Sequence, residues 1–374
     1  MLLKCLEQVQ DPRVERTKKY SLTEILFSTI VAVLDGARSW NEVSFNAELY
    51  LDFLRKFLPF ENGVPSHDTY NRVFQLIRPE SLETAFMDFA QIILKTLDIE
   101  AKTINLDGKQ MRGATQAGGV TVHLLSAWCA DCGISLGQLK VSSKSNEITA
   151  IPQLLKLLDI KGALITIDAM GTQTDIAKQI DESSAFYLLG LKGNQPTLFE
   201  AAKKLCSNYS PISKHESDLE ANRGYTYERT CEVFNVLERE VPMAKLWAGL
   251  KRIVKVKVVT THKVSKRVVE ETRYYITNDT QRNAKQYLQA TRNHWGIENG
   301  CHWQLDVTFN EDNSRKYAGN AAENFSRILR MCVNCAKAID FGKHAKASMA
   351  CKCKELAHSE KLLTQLLYGL SKGK

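Results

Sequence analysis

The sequence predicts an α/β fold: a mixed sheet covered by helices, preceded by a small helical region. Three observations carry that prediction. Residues 1–97 hold only helix-like patterns, whereas residues 102–207 alternate strand-like and helix-like segments. The stretch VTVHLLSAWCADCGISLGQLKVS reads as two strands around an Asp131-Cys132-Gly133 turn, so the sheet starts antiparallel. The segments after it follow a β-α-β pattern, which requires parallel neighbours and places helices on the faces.

Each element has its own signal. SLTEILFSTIVAVLDGA begins with Ser21 three positions before Glu24, a capping box, and stops at Gly36. A second helix runs from Trp40 to Leu58 and is closed by Pro59. A third follows the Gly63/Pro65 break with Ser66 as N-cap, and a fourth spans Ser81 to Leu97. Short helices joined by tight turns suit helix-turn-helix DNA binding and equally a small bundle. Thr103 to Leu106 is a short strand ending in Asp107. After the hairpin, EITAIPQLLKLLD is a helix, ALITIDAM a strand ending at Asp168, residues 173–182 a helix, FYLLGLK a strand, and PTLFEAAKKLC a helix with Pro196 in its first turn. Strand, hairpin, helix, strand, helix, strand, helix is the element order of a ribonuclease-H-like core. Residues 208–275 read as a β-rich insertion and residues 276–340 return to helix, completing a core of 102–207 and 276–340. Residues 341–374 read as a basic C-terminal tail.

Bulk properties set limits. With 374 residues, 44% apolar and 25% charged, the chain is long enough for two or three units. The longest apolar stretch, Ile25 to Leu34, is about half a membrane span, and the N-terminus lacks a signal-peptide pattern, so a cytoplasmic location is expected. Lys and Arg number 50 against 42 Asp and Glu, a net +8. Lys343 to Lys374 holds seven of those lysines against Glu355 and Glu360, a surface that suits a polyanion or simply a solvated tail. The CxxC pairs Cys129–Cys132 and Cys332–Cys335 stand too far apart for a zinc knuckle, and reduced, buried thiols are expected.

The acids carry the chemistry. In this element order the strands ending at Asp107 and Asp168 lie side by side. Two neighbouring carboxylates repel unless a cation sits between them, and Mg²⁺ takes such oxygen ligands while keeping waters and phosphate oxygens. A third acid is expected from the helix after the insertion: Glu298 in RNHWGIENGCHWQLD, with Trp295 and Ile297 anchoring the helix, and with Glu311 and Asp312 as competitors. Three acids and two metals match in-line phosphodiester displacement, with Mg²⁺ expected and Mn²⁺ as the alternative ion. Lys109, Arg112, Lys144, Lys192, Arg292 and His294 fall beside strand ends or near Glu298, where they are expected to contact DNA phosphates. No GxSxG, P-loop, HExxH or GxGxxG after a strand occurs.

Several stretches resemble the insertion-sequence DDE transposases of the H-repeat-associated group. They include NGVPSHDTYNRVF, LDGKQMRG, GQLKVSSKSNEITAIPQLL, ITIDAMGTQTDIA, LKGNQ, RNHWGIENGCHWQLDV and EDNSRKYAGNAAENFS, within residues 10–335. The resemblance implies a ribonuclease-H-like catalytic core with a β-insertion, and Mg²⁺-dependent cleavage and strand transfer at element ends. It further implies action on double-stranded DNA as a homodimer. By motif, Asp107, Asp168 and Glu298 fall on the catalytic acids. The superfamily's Tyr, Arg and Lys around the Glu are replaced by Thr291, His294 and Leu305. A catalytically inactive relic that only binds DNA, or a nuclease without joining activity, are the alternatives.

Overall fold

A computed structural model describes residues 1–100, 102–115, 121–141 and 147–369. In chain order, α1 (Leu2–Glu7), α2 (Leu22–Leu34), α3 (Trp40–Leu49), α4 (Leu51–Leu54), α5 (His67–Leu76) and α6 (Pro79–Thr96) come first. They precede β1 (Thr103–Thr115), β2 (Thr121–Cys129) and β3 (Ile134–Val141). Next alternate α7 (Glu147–Leu157), β4 (Leu164–Ile167), α8 (Thr174–Glu182), β5 (Phe186–Leu191) and α9 (Pro196–Asn208). Five more strands follow: β6 (Ser213–Glu216), β7 (Glu220–Asn222), β8 (Tyr225–Asn235), β9 (Arg252–His262) and β10 (Val268–Thr277). The chain then forms α10 (Ala284–Gly296), a π-helical turn (Ile297–His302), α11 (Trp303–Val307), α12 (Ala321–Ala338), α13 (Met349–His358) and α14 (Glu360–Tyr368).

This mixed α/β chain divides into two compact units, along other lines than the sequence suggests. The first comprises Met1–Ala101, Gly108–Lys144 and Ile297–Lys374, and the second Lys102–Asp107 and Ser145–Gly296. The expected helical region 1–97 is thus only part of the first unit.

In the first unit, capping boxes start two helices. Ser21 Oγ accepts from Glu24 N at 3.1 Å while the Glu24 carboxylate accepts from Ser21 N, and Ser39 and Glu42 repeat the box on α3. α12 is the central element and is buried from Ala321 to Ala336. It packs on α2, α5, α6, α13 and β3. β2 and β3 form the expected hairpin, and Gly133 takes φ +73° in its turn, a conformation that favours glycine. Residues 341–369 are no solvated tail. α13 and α14 bury Cys353, Leu356, Leu363, Leu366 and Leu367, with α13 against α2 and α12, and α14 against α1. An apolar stripe at helical spacing runs between the lysines, and burying it decides the fold of this end.

In the second unit, β1 pairs parallel with β4, and β4 parallel with β5. The 208–275 strands form no separate body. β10 pairs antiparallel with β5 (Tyr274 opposite Leu191), and β9, β8 and β6 continue the same sheet outward. α10 packs on one face of this sheet, its Ala284, Tyr287, Leu288 and Ala290 meeting Leu164, Leu188, Val233, Val254 and Val256. β1 itself does not end at Asp107 but continues to Thr115; only its parallel pairing stops there, at Leu106 opposite Ile167.

Candidate active site

The register of β1 and β4 decides where the two aspartates lie. Asn105 pairs with Thr166 and Leu106 with Ile167, so Asp107 and Asp168 are the next residues on neighbouring strands. Side chains alternate along a strand, which puts Asn105 and Asp107 on one face of β1, and Thr166 and Asp168 on one face at the end of β4. Asn105 and Thr166 are fully or almost fully buried on that face.

There they form a polar relay with the end of α10. Thr166 Oγ1 donates to Asn105 Oδ1 at 2.8 Å, and Asn105 Nδ2 donates to the carbonyl of Asn293. Because the threonine hydroxyl has donated its one hydrogen, His294 Nδ1 at 2.8 Å is the donor to Thr166 Oγ1. Burial pushes the His294 ring down to about 4, against the pull of Asp168 and with the repulsion of Arg273. The imidazole is therefore neutral near pH 7. The relay fixes the C-terminal turn of α10 on the face that carries the aspartates.

The loop after Asp168 is braced. Asp168 Oδ1 accepts from the backbone N–H groups of Met170 (3.1 Å) and Gly171 (3.2 Å). Asn194 Nδ2 donates to the Ala169 carbonyl and Gln195 Nε2 to the Thr172 carbonyl, so the LKGNQ stretch holds this loop. Asp168 is exposed and Asp107 half-buried. Glu298, also exposed, is the second residue of the π-helical turn that follows α10 without a break, and it belongs to the first unit.

The competing acids have other duties, all within the first unit. Glu311 is fully buried; it accepts from Ser326 Oγ (2.6 Å) and pairs with Arg330 (3.2 Å) and Lys109 (2.8 Å). Burial opposes its charge, but Arg330 and Lys109 outweigh that and hold the carboxyl at about 2. Asp312 pairs with Lys109 and Arg112. Asp107 and Asp168 offer carboxylate oxygens, which suit a hard divalent cation that one or two carboxylates hold together with waters and substrate phosphates. Among the described residues, no three acid, histidine or cysteine side chains are gathered closely enough to ligate a metal.

The cations expected at phosphates divide. Lys109 is only 9% exposed, and its ammonium donates to Asp306, Glu311 and Asp312. Burial disfavours its charge, and the carboxylates of Glu311 and Asp306 more than offset this, raising its pKa. All three of its hydrogens are in use, so it is not a free phosphate contact. Arg112 is exposed and 3.7 Å from Asp312. Arg292 makes a two-pronged pair with Glu220, at 2.6 and 3.0 Å. Lys192 is exposed on the loop after β5. Lys144 lies outside the described residues. Ile297 is buried as expected of an anchor, but Trp295 is 44% exposed, with the Arg273 guanidinium 4.7 Å from its ring centroid.

Sequence reasoning passed over Asn105, Thr166, Asn293 and Arg273. The first two had a signal: each is a polar residue inside an apolar strand, two positions before an aspartate.

Comparison with known proteins agrees with the resemblance. Residues 94–335 match the family described as "Transposase DDE domain", and residues 3–90 the one described as "DDE_Tnp_1-associated". The chain is 39% identical to "Putative transposase YncI" of Escherichia coli O157:H7, over 89% of this chain and 86% of that protein. It is 35% identical to "H repeat-associated putative transposase YhhI" of Escherichia coli strain K12, over 98% of both. A piggyBac transposase in a synaptic complex with hairpin DNA, seen by cryo-EM, aligns with a TM-score of 0.46 at 11% identity, over 98% of this chain and 80% of that one. The chain belongs to the DDE transposase family.

Proposed function

We propose that this protein is a DNA transposase that cleaves the ends of its own element and joins them to target DNA, with Asp107, Asp168 and Glu298 as its catalytic acids. The observation that carries the reading is the relay. Asn105 and Thr166 join the two aspartate-bearing strands to the end of α10, and Glu298 follows His294 by four residues on the same helical run. Glu311 and Asp312 are already paired with cations, which favours Glu298 as the third acid.

Divalent ions held by these acids, Mg²⁺ or Mn²⁺, would supply activation of the attacking oxygen and stabilisation of the leaving one. The chain's own residues do the rest. Backbone N–H groups of Met170 and Gly171 hold one oxygen of Asp168, which orients the other. Neutral His294 accepts no phosphate charge; it positions Thr166 and Asn105. Lys192 and Arg112 are the exposed cations assigned to DNA phosphates, with Arg292 available when Glu220 lets it go. Lys109 is assigned to structure. A homodimer acting on paired ends accompanies this reading. Among the described residues, no helix is long and apolar enough to cross a membrane.

The direct test is cleavage and joining of a duplex carrying the sequence that flanks the gene. Metal-dependent nicking followed by joined product is expected. DNA binding without nicking in either Mg²⁺ or Mn²⁺ would sink the proposal and leave a DNA-binding relic; nicking with no joined product would leave a nuclease.

The relay makes a second, finer prediction. Thr166→Val keeps the shape of the side chain but leaves His294 Nδ1 and Asn105 Oδ1 without their partner, an unmet cost of about 1–3 kcal/mol. If half of that falls on the positioning of the acids, cleavage slows by about two- to tenfold. Single-turnover cleavage should drop while DNA affinity stays at the wild-type value, and Thr166→Ser should restore the rate. Equal rates for valine and threonine would remove the relay from the mechanism.

A further inference from the structure

We propose that a polar cleft in the first unit binds the phosphodiester backbone of a DNA strand. The cleft has a volume of about 500 Å³ and is walled by the first turn of α3, the start of α5 and residues 310–316. Two of the stretches that carry the family resemblance, NGVPSHDTYNRVF and EDNSRKYAGNAAENFS, meet here, and the chemistry of the three acids uses neither. The side chains at issue are Arg38, His67, Asn71, Asn313, Arg315 and Lys316. Arg38 and Arg315 are exposed, and neither forms an ion pair among the described residues. Guanidinium forks and carboxamides at this spacing offer N–H donors to phosphate oxygens.

Lys316 separates this cleft from an ordinary basic surface. It is only 7% exposed, yet among the described residues no carboxylate forms an ion pair with it. Its ammonium donates to the Arg38 carbonyl, stands 3.4 Å from Ser314 Oγ, and lies 3.9 Å from the ring centroid of Phe325 and 5.2 Å from that of Trp40. Glu42 lines the cleft too, but its carboxylate caps α3, accepting from Arg38 N at 2.6 Å and Ser39 N at 3.0 Å. Burial pushes the Lys316 ammonium down to about 8, with Glu42 pulling the other way. Buried charges are ordinarily paired, because an isolated one is costly. An anion in the cleft supplies the missing counter-charge.

The choice of DNA over a free anion rests on the transposase reading, and the experiment keeps the two apart. Binding of a labelled duplex is measured in EDTA, so that cleavage plays no part, across a salt titration. Wild type is compared with Arg38→Ala/Arg315→Ala and with Lys316→Met, each checked for an unchanged thermal midpoint. The double variant is expected to lose affinity at least about tenfold and to lower the slope of log affinity against log salt by about 2, near 0.9 for each phosphate contact removed. Lys316→Met is expected to weaken binding and to lower the same slope by about 1. If the wild-type chain binds duplex but the double variant keeps its slope, the cleft is not a DNA site. If the wild-type chain binds no duplex at all, the transposase reading fails with it. Thermal stabilisation of wild type by inorganic phosphate, with duplex affinity equal in all three proteins, would assign the cleft to a small anion and overturn the proposal.

Discussion

Asp168→Asn is expected to abolish metal-dependent nicking of supercoiled DNA, by a factor on the order of 10³ or more, while DNA binding persists. The substitution is conservative where structure is concerned. Asparagine keeps the oxygen that accepts from the N–H groups of Met170 and Gly171, so the loop retains its shape. It removes one negative charge at the place where a divalent cation would have to be held. A loss of about 4 kcal/mol of transition-state stabilisation corresponds to that factor. Asp107→Asn and Glu298→Gln should behave alike, since three acids that act as one unit give non-additive losses. The comparison between Glu298→Gln and Asp312→Asn is the sharper one. Asp312 sits between Lys109 and Arg112, and its loss should leave nicking largely intact in a protein that still folds. Retained nicking in Asp168→Asn, in either Mg²⁺ or Mn²⁺, would reject the assignment of the acids.

The caps, the hairpin turn and the neighbouring positions of the two aspartates were legible because strand ends and caps are local signals. Ser21 with Glu24, the Asp-Cys-Gly turn, and an aspartate closing an apolar strand each depend on a few neighbouring residues. The relay was half legible: Asn105 and Thr166 stand out as polar side chains in buried strands, but Asn293 and His294 come from more than a hundred residues away. Lys109 could not be read correctly from its surroundings. Beside Asp107 in LDGK it resembles a phosphate contact, and only the arrival of residues 306–312 from the far end of the chain shows that its charge is neutralised within the fold. Gly113, in the same stretch, has the same kind of explanation. A Cβ there would come within 2.6 Å of the Asp312 carbonyl oxygen, so the close approach of two distant backbone segments requires glycine. The C-terminal lysines misled in the opposite direction, because charge on the outer face of α13 and α14 hides the leucine stripe on the inner one. Local patterns place Asp107 and Asp168 after neighbouring stretches of paired strand; long-range pairing decides what their neighbours do.

That pairing makes the strongest stability prediction. Glu311→Gln should destabilise the first unit by about 3–5 kcal/mol, because it removes the carboxylate from between two buried cations that keep their charge. Glutamine still accepts from Ser326, so the loss reports the ionic part of the cluster. The sign with pH follows from the depressed carboxyl. The folded pKa of about 2 lies below the ordinary value near 4.3, so the stabilising contribution is complete above that ordinary value and disappears as pH falls towards 2. Between pH 7 and 5.5 the gap between wild type and Glu311→Gln in chemical unfolding should stay constant. At about pH 3.5 it should shrink by roughly 1 kcal/mol, as protons bind the unfolded wild-type chain alone. Lys109→Met should cost a comparable amount at neutral pH, since it leaves Glu311 with Arg330 as its single ionic partner and Asp306 with no counter-charge among the described residues. The double variant Lys109→Met/Glu311→Gln should then be more stable than the sum of the two losses predicts, because each substitution removes the burden that the other creates. Strict additivity would mean that the two charges do not sense one another, and that Lys109 is held for some reason other than the carboxylates around it.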